Sequence, residues 1–283
     1  MTAQITASQV KQLRDATQAG MMDAKKALVE TNGDFDAAVT LLREKGIAKA
    51  GKLGDRETTE GRVALAQDGD KAALVLLGCN TDFVARNDDF GAFAQDVANH
   101  VLGNTPKDVE ELLTQQWSKG GTVEDARTEA SSSTGENVVI AKVASFDAST
   151  SGVLGTYLHG TGIGVVVDVE GPQTDEVRTF AQDVAMHAAA AAPQYLTRDE
   201  VPADAVEAEK SIYVKQLEGE GKPAEMLDKI ATGKLNKWYS EIALVEQNWI
   251  FAKDRVGKDL TIGDYAKQVG ATVKGFARFS VKG

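Results

Sequence analysis

Three histidines (His100, His159, His187) and one cysteine (Cys79) are the chain's whole supply of imidazole and thiol, and no pair of them has zinc-ligand spacing. No metal and no cofactor is expected. A single cysteine cannot close an intrachain disulfide, and Cys79 ends an apolar run, which fits simple burial in a reducing compartment. Gly160-Thr161-Gly162-Ile163-Gly164 has the glycine spacing of a dinucleotide fingerprint, but that motif requires a following helix, and Val165-Val166-Val167 forms strand instead. Gly219-Glu220-Gly221-Lys222-Pro223 lacks the leading strand and the Ser or Thr of a phosphate loop, and Pro223 removes a backbone donor. It reads as a turn. No Gly-x-Ser-x-Gly elbow occurs, and the pair Asp88-Asp89 stands where a helix N-terminus places acids. Covalent catalysis finds no constellation of residues here, so the remaining chemistry is that of binding.

The run Cys79-Asn80-Thr81-Asp82-Phe83-Val84-Ala85-Arg86-Asn87 connects an apolar strand to a helix carrying Phe93-Ala-Gln-Asp-Val-Ala-Asn-His100. The same pattern returns as Phe180-Ala-Gln-Asp-Val-Ala-Met-His187, so the chain contains a duplicated unit. In both copies the apolar positions follow one helical template, and His100 and His187 fall at equivalent places, which implies a common packing or capping job. Strand pairs precede the helices: 62–67 with 72–78 around Asp68-Gly69-Asp70, then 153–158 with 163–169 around His159-Gly160-Thr161-Gly162. The second copy passes from strand to helix through little more than Glu170 to Thr174; the first inserts the Asp82-Phe83 loop. An aromatic on a connection is a candidate contact residue, or it folds back into the core as most do. Pattern alone leaves both open.

At 283 residues, 42% hydrophobic and 26% charged, the chain has the composition of a folded protein of two or three modest domains. No apolar run reaches spanning length, and the start Met-Thr-Ala-Gln carries no export signal, so a cytoplasmic protein without a membrane partner is expected. The net charge of −11 argues against direct nucleic-acid binding, and local basic spots such as Lys45, Lys49 and Lys52 read as solvated helix-end charges. A protein partner fits better.

The expected organisation is α+β. Residues 1–50 form an N-terminal three-helix partner-binding module: Thr6 to Gln9 is a capping box, a second helix ends at Asn32-Gly33, and a third, capped by Asp34 or Asp36, stops near Gly46. Residues 51–60 are a linker, overlapping the charged, aperiodic stretch 49–59. Residues 61–148 are the first core subdomain, with 118–136, rich in Gly, Ser and Thr, as a mobile excursion. The second subdomain is 149–192 with 241–283, interrupted at 193–240 by an antiparallel helical hairpin that reverses at Gly219 to Pro223. Strands are expected at 241–245 and 273–281, with a helix over 262–269 between them.

Two stretches go beyond pattern. Leu13-Arg14-Asp15-Ala16-Thr17-Gln18-Ala19-Gly20-Met21-Met22-Asp23-Ala24-Lys25-Lys26-Ala27-Leu28 and the Cys79 to Asn87 run resemble the two signature segments of the bacterial elongation factor Ts family, in order and at a fitting separation. The resemblance extends over nearly the whole chain, to the closing Gly275-Phe276-Ala277-Arg278-Phe279. Gly78 and Asn80 depart from it, standing where the family more often shows Asn and an acidic residue or Gln. The fold it implies is a UBA-like amino-terminal module, a duplicated two-subdomain core with antiparallel sheets, and the inserted hairpin.

The resemblance also implies a role: guanine-nucleotide exchange on elongation factor Tu, by binding its GDP form and loosening Mg²⁺ and GDP, with no covalent step. Thr81, Asp82, Phe83 and Val84 would then act beside the partner's Mg²⁺ site, with Phe83 as the wedge and Asp82 helping to position it. Lys11, Arg14, Met21 and Met22 would grip the same GTPase domain, although one of the two methionines is expected to pack the small bundle itself. His159 and Gly160 would touch another domain of the partner. The hairpin is short for strong self-association, so its pattern does not predict a homodimer and leaves the oligomeric state open. A translation-linked scaffold without exchange activity retains the same architecture and is the alternative.

Overall fold

Helix caps account for the first module. Thr6 and Gln9 close a reciprocal cap, the Gln9 Oε1 accepting from the Thr6 N–H at 2.9 Å while Thr6 Oγ1 accepts from the Gln9 N–H at 3.3 Å. This opens α1 (Ala7–Thr17), followed by α2 (Met21–Glu30) and α3 (Phe35–Leu53). Gly33 adopts φ +87° and donates to the Leu28 carbonyl at 2.8 Å, ending α2 as the sequence requires. Asp34 Oδ1 then accepts from the Ala37 N–H at 3.0 Å and caps α3. Val10, Leu13, Ala24, Ala27, Leu28 and Ala38 form the small core. The expected stop of α3 near Gly46 is not observed. Gly46 is buried, and a Cβ there would lie 3.5 Å from Ser132 Oγ, so the glycine permits close helix packing and the helix runs on to Leu53.

The computed structural model describes residues 5–17, 19–148 and 151–282, with backbone alone for 47–52. Met1 to Gln4, Gln18 of the first signature segment and the side chains of Lys49 and Lys52 therefore lie outside the described residues. The chain divides into two compact units: one comprises residues up to 66, 73–145 and those from 279 onward, the other 67–72 and 146–278.

In the first copy of the duplicated core, β1 (Glu60–Asp68) and β2 (Lys71–Cys79) lead through α4 (Asp82–Ala85) into α5 (Asp88–Asn104), α6 (Val109–Thr114), α7 (Val123–Thr134) and β3 (Val139–Asp147). The second runs from β4 (Gly152–His159) and β5 (Ile163–Glu170) to α8 (Asp175–Ala191). It is interrupted by the hairpin of α9 (Ala203–Gly219) and α10 (Ala224–Ile242), then resumes with α11 (Ala252–Val256), α12 (Ile262–Gln268) and β6 (Thr272–Ser280). Each copy builds a three-stranded antiparallel sheet, ordered β1-β2-β3 and β4-β5-β6. The hairpin turns at Gly221, φ +71°, as expected, and Leu217 on α9 and Ala231 and Leu235 on α10 are buried.

Side-chain bonds repeat between the copies as faithfully as the sequence does. Gln95 Nε2 donates to the Leu65 carbonyl at 3.0 Å, and Gln182 Nε2 to that of Thr156 at 2.7 Å, each pinning a helix to the first strand of its sheet. Space for α8 is made by Gly155, where a Cβ would fall 2.0 Å from the Ala181 carbonyl oxygen. His100 Nε2 meets Gln115 Oε1 at 2.9 Å; His187 Nε2 meets Gln247 Oε1 at 2.9 Å. The equivalent histidines do share one job, which is to hold the segment that returns across the helix.

That segment is itself repeated. Gln115-Gln116-Trp117 and Gln247-Asn248-Trp249 each set a tryptophan against the helix phenylalanine, Phe93 with Trp117 at 6.2 Å and Phe180 with Trp249 at 5.7 Å between ring centres. Each also forms an isolated bridge, Gln116 with Thr122 and Asn248 with Thr261, just before a capped helix. Consequently 118–136 is no mobile excursion: α7 stands there, closed by a capping box between Thr122 and Asp125, with Ser131 buried and accepting from the Val138 N–H at 3.0 Å. The strand expected at 241–245 is also corrected. α10 continues to Ile242 and a single 3₁₀ turn, Leu244–Glu246, follows, with one bridge from Tyr195 to Ala243 as its sheet-like contact.

Burial pushes the His187 imidazole below its ordinary value near 6.5, while the Gln247 bond opposes the shift. The unfolded chain therefore binds a proton that the folded one refuses as pH drops below about 6.5, so His187 lowers stability in that direction. Urea unfolding at pH 7.5 and 5.5 should show a smaller acid-linked loss for His187→Gln than for the unaltered chain; parallel losses would remove His187 from the pH response.

Candidate partner-docking site

β2 is buried from Ala72 to Cys79, and its last residue delivers the chain to the surface. Thr81 is extended (φ −124°, ψ 155°) and its hydroxyl oxygen accepts from the Val84 N–H, capping α4. The four residues Asp82–Ala85 make one helical turn, where a loop was expected. Ala85 is buried and Val84 packs against the core of the first copy. Successive positions on a helix face different directions, and the residue before this inward pair faces out: Phe83 is 83% exposed, the highest figure among the exposed large hydrophobic residues. The alternative left open by the sequence, a phenylalanine folded into the core, is excluded.

Several groups hold the turn. The Glu136 carboxylate accepts from the Asn80 and Thr81 N–H groups at Oε2, 2.9 and 3.0 Å, and from the Thr81 hydroxyl at Oε1, 2.5 Å. Downstream, Asn87 Oδ1 accepts from the Asp89 and Phe90 N–H groups at 2.8 and 3.1 Å and starts α5. The Asp82–Arg86 ion pair at 3.2 Å spans the turn, but both groups are substantially exposed, and such pairs contribute only about 0.3–0.5 kcal/mol. Cys79 donates its thiol hydrogen to the Thr81 carbonyl at 3.3 Å. Burial, with the Glu136 charge adding to it, pushes that thiol up to about 11, so Cys79 stays a neutral packing residue.

The N-terminal candidates sit on α1 and the start of α2. Lys11 is exposed and Arg14 pairs with Asp15 at 2.5 Å. Met21 and Met22 are 47% and 63% exposed, so neither packs the bundle, contrary to expectation; the small core is already filled by Leu13, Ala24 and Leu28. Val29 and Phe35 are exposed as well and were missed, though Val29 lies seven residues from Met22, on the same helical stripe. In the second copy, His159 and Gly160 (φ +57°) stand at the tip of the β4–β5 hairpin, with His159 Nδ1 3.2 Å from the Tyr157 hydroxyl. Leu158 beside them is exposed and was likewise missed.

Among the described residues no group of three or more His, Cys, Asp or Glu side chains is arranged to hold a metal ion. No helix of the described residues is long and apolar enough to cross a membrane.

A family model of elongation factor Ts matches residues 80–283. A relative named elongation factor Ts, from Thioalkalivibrio sulfidiphilus (strain HL-EbGR7), is 42% identical over 279 residues, covering 98% of this chain and 92% of its own length. The chain belongs to the elongation factor Ts family. It is a translation elongation factor. For an elongation factor Ts, the matched range opens at the residue that precedes the Thr81–Val84 turn, and the relative's coverage takes in the helical module as well. Beside the turn, a Cβ at Gly78 would lie 2.9 Å from Val139 Cγ2 and 3.0 Å from Thr58 Oγ1, and the Asn80 side chain donates to the Glu57 carbonyl at 2.6 Å.

Proposed function

We propose that this chain is a guanine-nucleotide exchange factor for elongation factor Tu, which binds the GDP-bound GTPase, displaces Mg²⁺ with the Phe83 turn and so promotes GDP release. The exposure of Phe83 on a turn anchored by Glu136 carries the reading. An aromatic wedge brings much apolar area on two stiff torsions, so little entropy is lost when it is inserted. Thr81 and Asp82 keep the turn wound, Val84 anchors it, and no covalent step is required. Met21 and Met22, with Lys11 and Arg14, supply a second grip, for which flexible thioethers are suited; His159 and Gly160 supply a further contact. The acidic net charge of −11 supports a protein partner over direct nucleic-acid binding.

Adding the purified chain to elongation factor Tu loaded with fluorescent GDP tests the reading. Release should accelerate and saturate with factor concentration. Tight binding with an unchanged release rate would replace the exchange reading with that of a scaffold. The double variant Met21→Ala with Met22→Ala should weaken association about tenfold or more, each exposed methionine contributing on the order of 1 kcal/mol of apolar burial. Titration calorimetry showing unaltered affinity would reject that docking surface.

A further inference from the structure

We propose that Glu136, Asn80 and Asn137 are positioning residues. They join the Phe83 turn and the segment leaving α3 into one joint, so that the phenylalanine and the Met21–Met22 surface reach the GTPase at a fixed offset. The proposal rests on the exchange reading above. Its basis is a continuous hydrogen-bond path through three chain segments that are far apart in sequence. The Glu136 carboxylate takes both N–H groups at the base of the turn and the Thr81 hydroxyl. The next residue, Asn137, is 6% exposed and donates from Nδ2 to the Gly54 carbonyl at 3.2 Å and the Arg56 carbonyl at 2.9 Å. Asn80 links the two: its Oδ1 accepts from the Asn137 N–H at 2.9 Å and its Nδ2 donates to the Glu57 carbonyl at 2.6 Å.

Gly54 to Glu57 follow directly on α3, which ends at the buried Leu53, so the stretch expected to be a linker is pinned to the base of the Phe83 turn. Asn137 is buried, and a buried carboxamide loses more when its partner is removed than a single pair contributes, while the part-buried Glu136 carboxylate adds charge-assisted bonds at the turn. Two docking surfaces on a flexible connection engage a partner nearly independently. Holding them at the right offset raises the effective concentration of the second contact and removes ordering cost from the first.

Two variants separate this from ordinary stabilisation. Glu136→Gln keeps the shape but turns a donor group toward the turn, and it should lower the saturated rate of GDP release about tenfold with little change in half-saturating factor concentration. Asn137→Ala releases Gly54 to Glu57 and should raise the half-saturating concentration about tenfold with little change in the saturated rate. Hydrogen exchange of the Asn80 and Thr81 amides in the free chain should quicken in Glu136→Gln. With an active unaltered chain, variants that keep both kinetic parameters overturn the joint, as do variants that lose both in step with a lowered melting temperature. An unaltered chain that fails to speed GDP release overturns the exchange reading alone; unchanged Asn80 and Thr81 protection in Glu136→Gln then overturns the clamp by itself.

Discussion

Phe83→Ala should cut the saturated rate of factor-stimulated GDP release by roughly ten- to a hundredfold, while leaving the melting temperature of the chain unchanged. The ring is 83% exposed, so the folded state forfeits almost no packing when it is removed. The complex forfeits a buried phenylalanine, about 1.5–3 kcal/mol, and where that contact has formed at the barrier the loss appears directly in the rate. The coupling is reciprocal: if the inserted ring weakens GDP, bound GDP weakens the factor by the same ratio, and Phe83→Ala should shrink both effects together. Stopped-flow release of fluorescent GDP measures it. A rate equal to that of the unaltered chain would take Phe83 out of the mechanism.

Phe180→Ala should do the opposite, lowering stability by about 3–5 kcal/mol through transfer and cavity terms. Phe180 is 1% exposed and meets Trp249 and Tyr265 edge-on at 5.7 and 5.2 Å, while those two rings stack at 4.5 Å, so its removal opens a cavity among large rigid rings. Urea unfolding followed by tryptophan fluorescence reads the change. A loss below about 1 kcal/mol would mean that the aromatic cluster repacks and is not the keystone of the second copy. One residue type thus stands in solvent at position 83 and packs the core at position 180, and the two variants should divide accordingly between rate and stability.

Much of this was legible in the sequence because it is local. The Thr6 and Gln9 cap, the Asn32-Gly33 stop and the repeat built on Phe93 and Phe180 are short-range signals whose physics needs no tertiary context. Where the reading failed, tertiary contacts decided. Gly46 has the composition of a helix stop, yet its missing side chain admits Ser132, and α3 continues. The Ser- and Thr-rich stretch around α7 looked mobile because its hydroxyls suit loops, but Thr122 and Asp125 cap a helix there and Ser131 bonds within the core. A signal was available: Gln-x-Trp at 115–117 and again at 247–249 shows that the duplication extends past the repeated helix.

The candidate site divides in the same way. The turn sequence singled out Phe83, but whether its ring faced water depended on Val84 and Ala85 turning inward, which pattern could not fix. Glu136, far along the chain from the turn it holds, offered no local cue at all.

If Phe83 acts as proposed, its ring stands in water in the free chain and is taken into elongation factor Tu in the complex. A 4-fluorophenylalanine placed at position 83 alone, followed by fluorine NMR with a soluble paramagnetic agent, reads the ring in both states. The resonance should relax rapidly in the free chain and be shielded once nucleotide-free elongation factor Tu is bound. A signal that stays equally accessible in the complex would mean that the ring is not inserted.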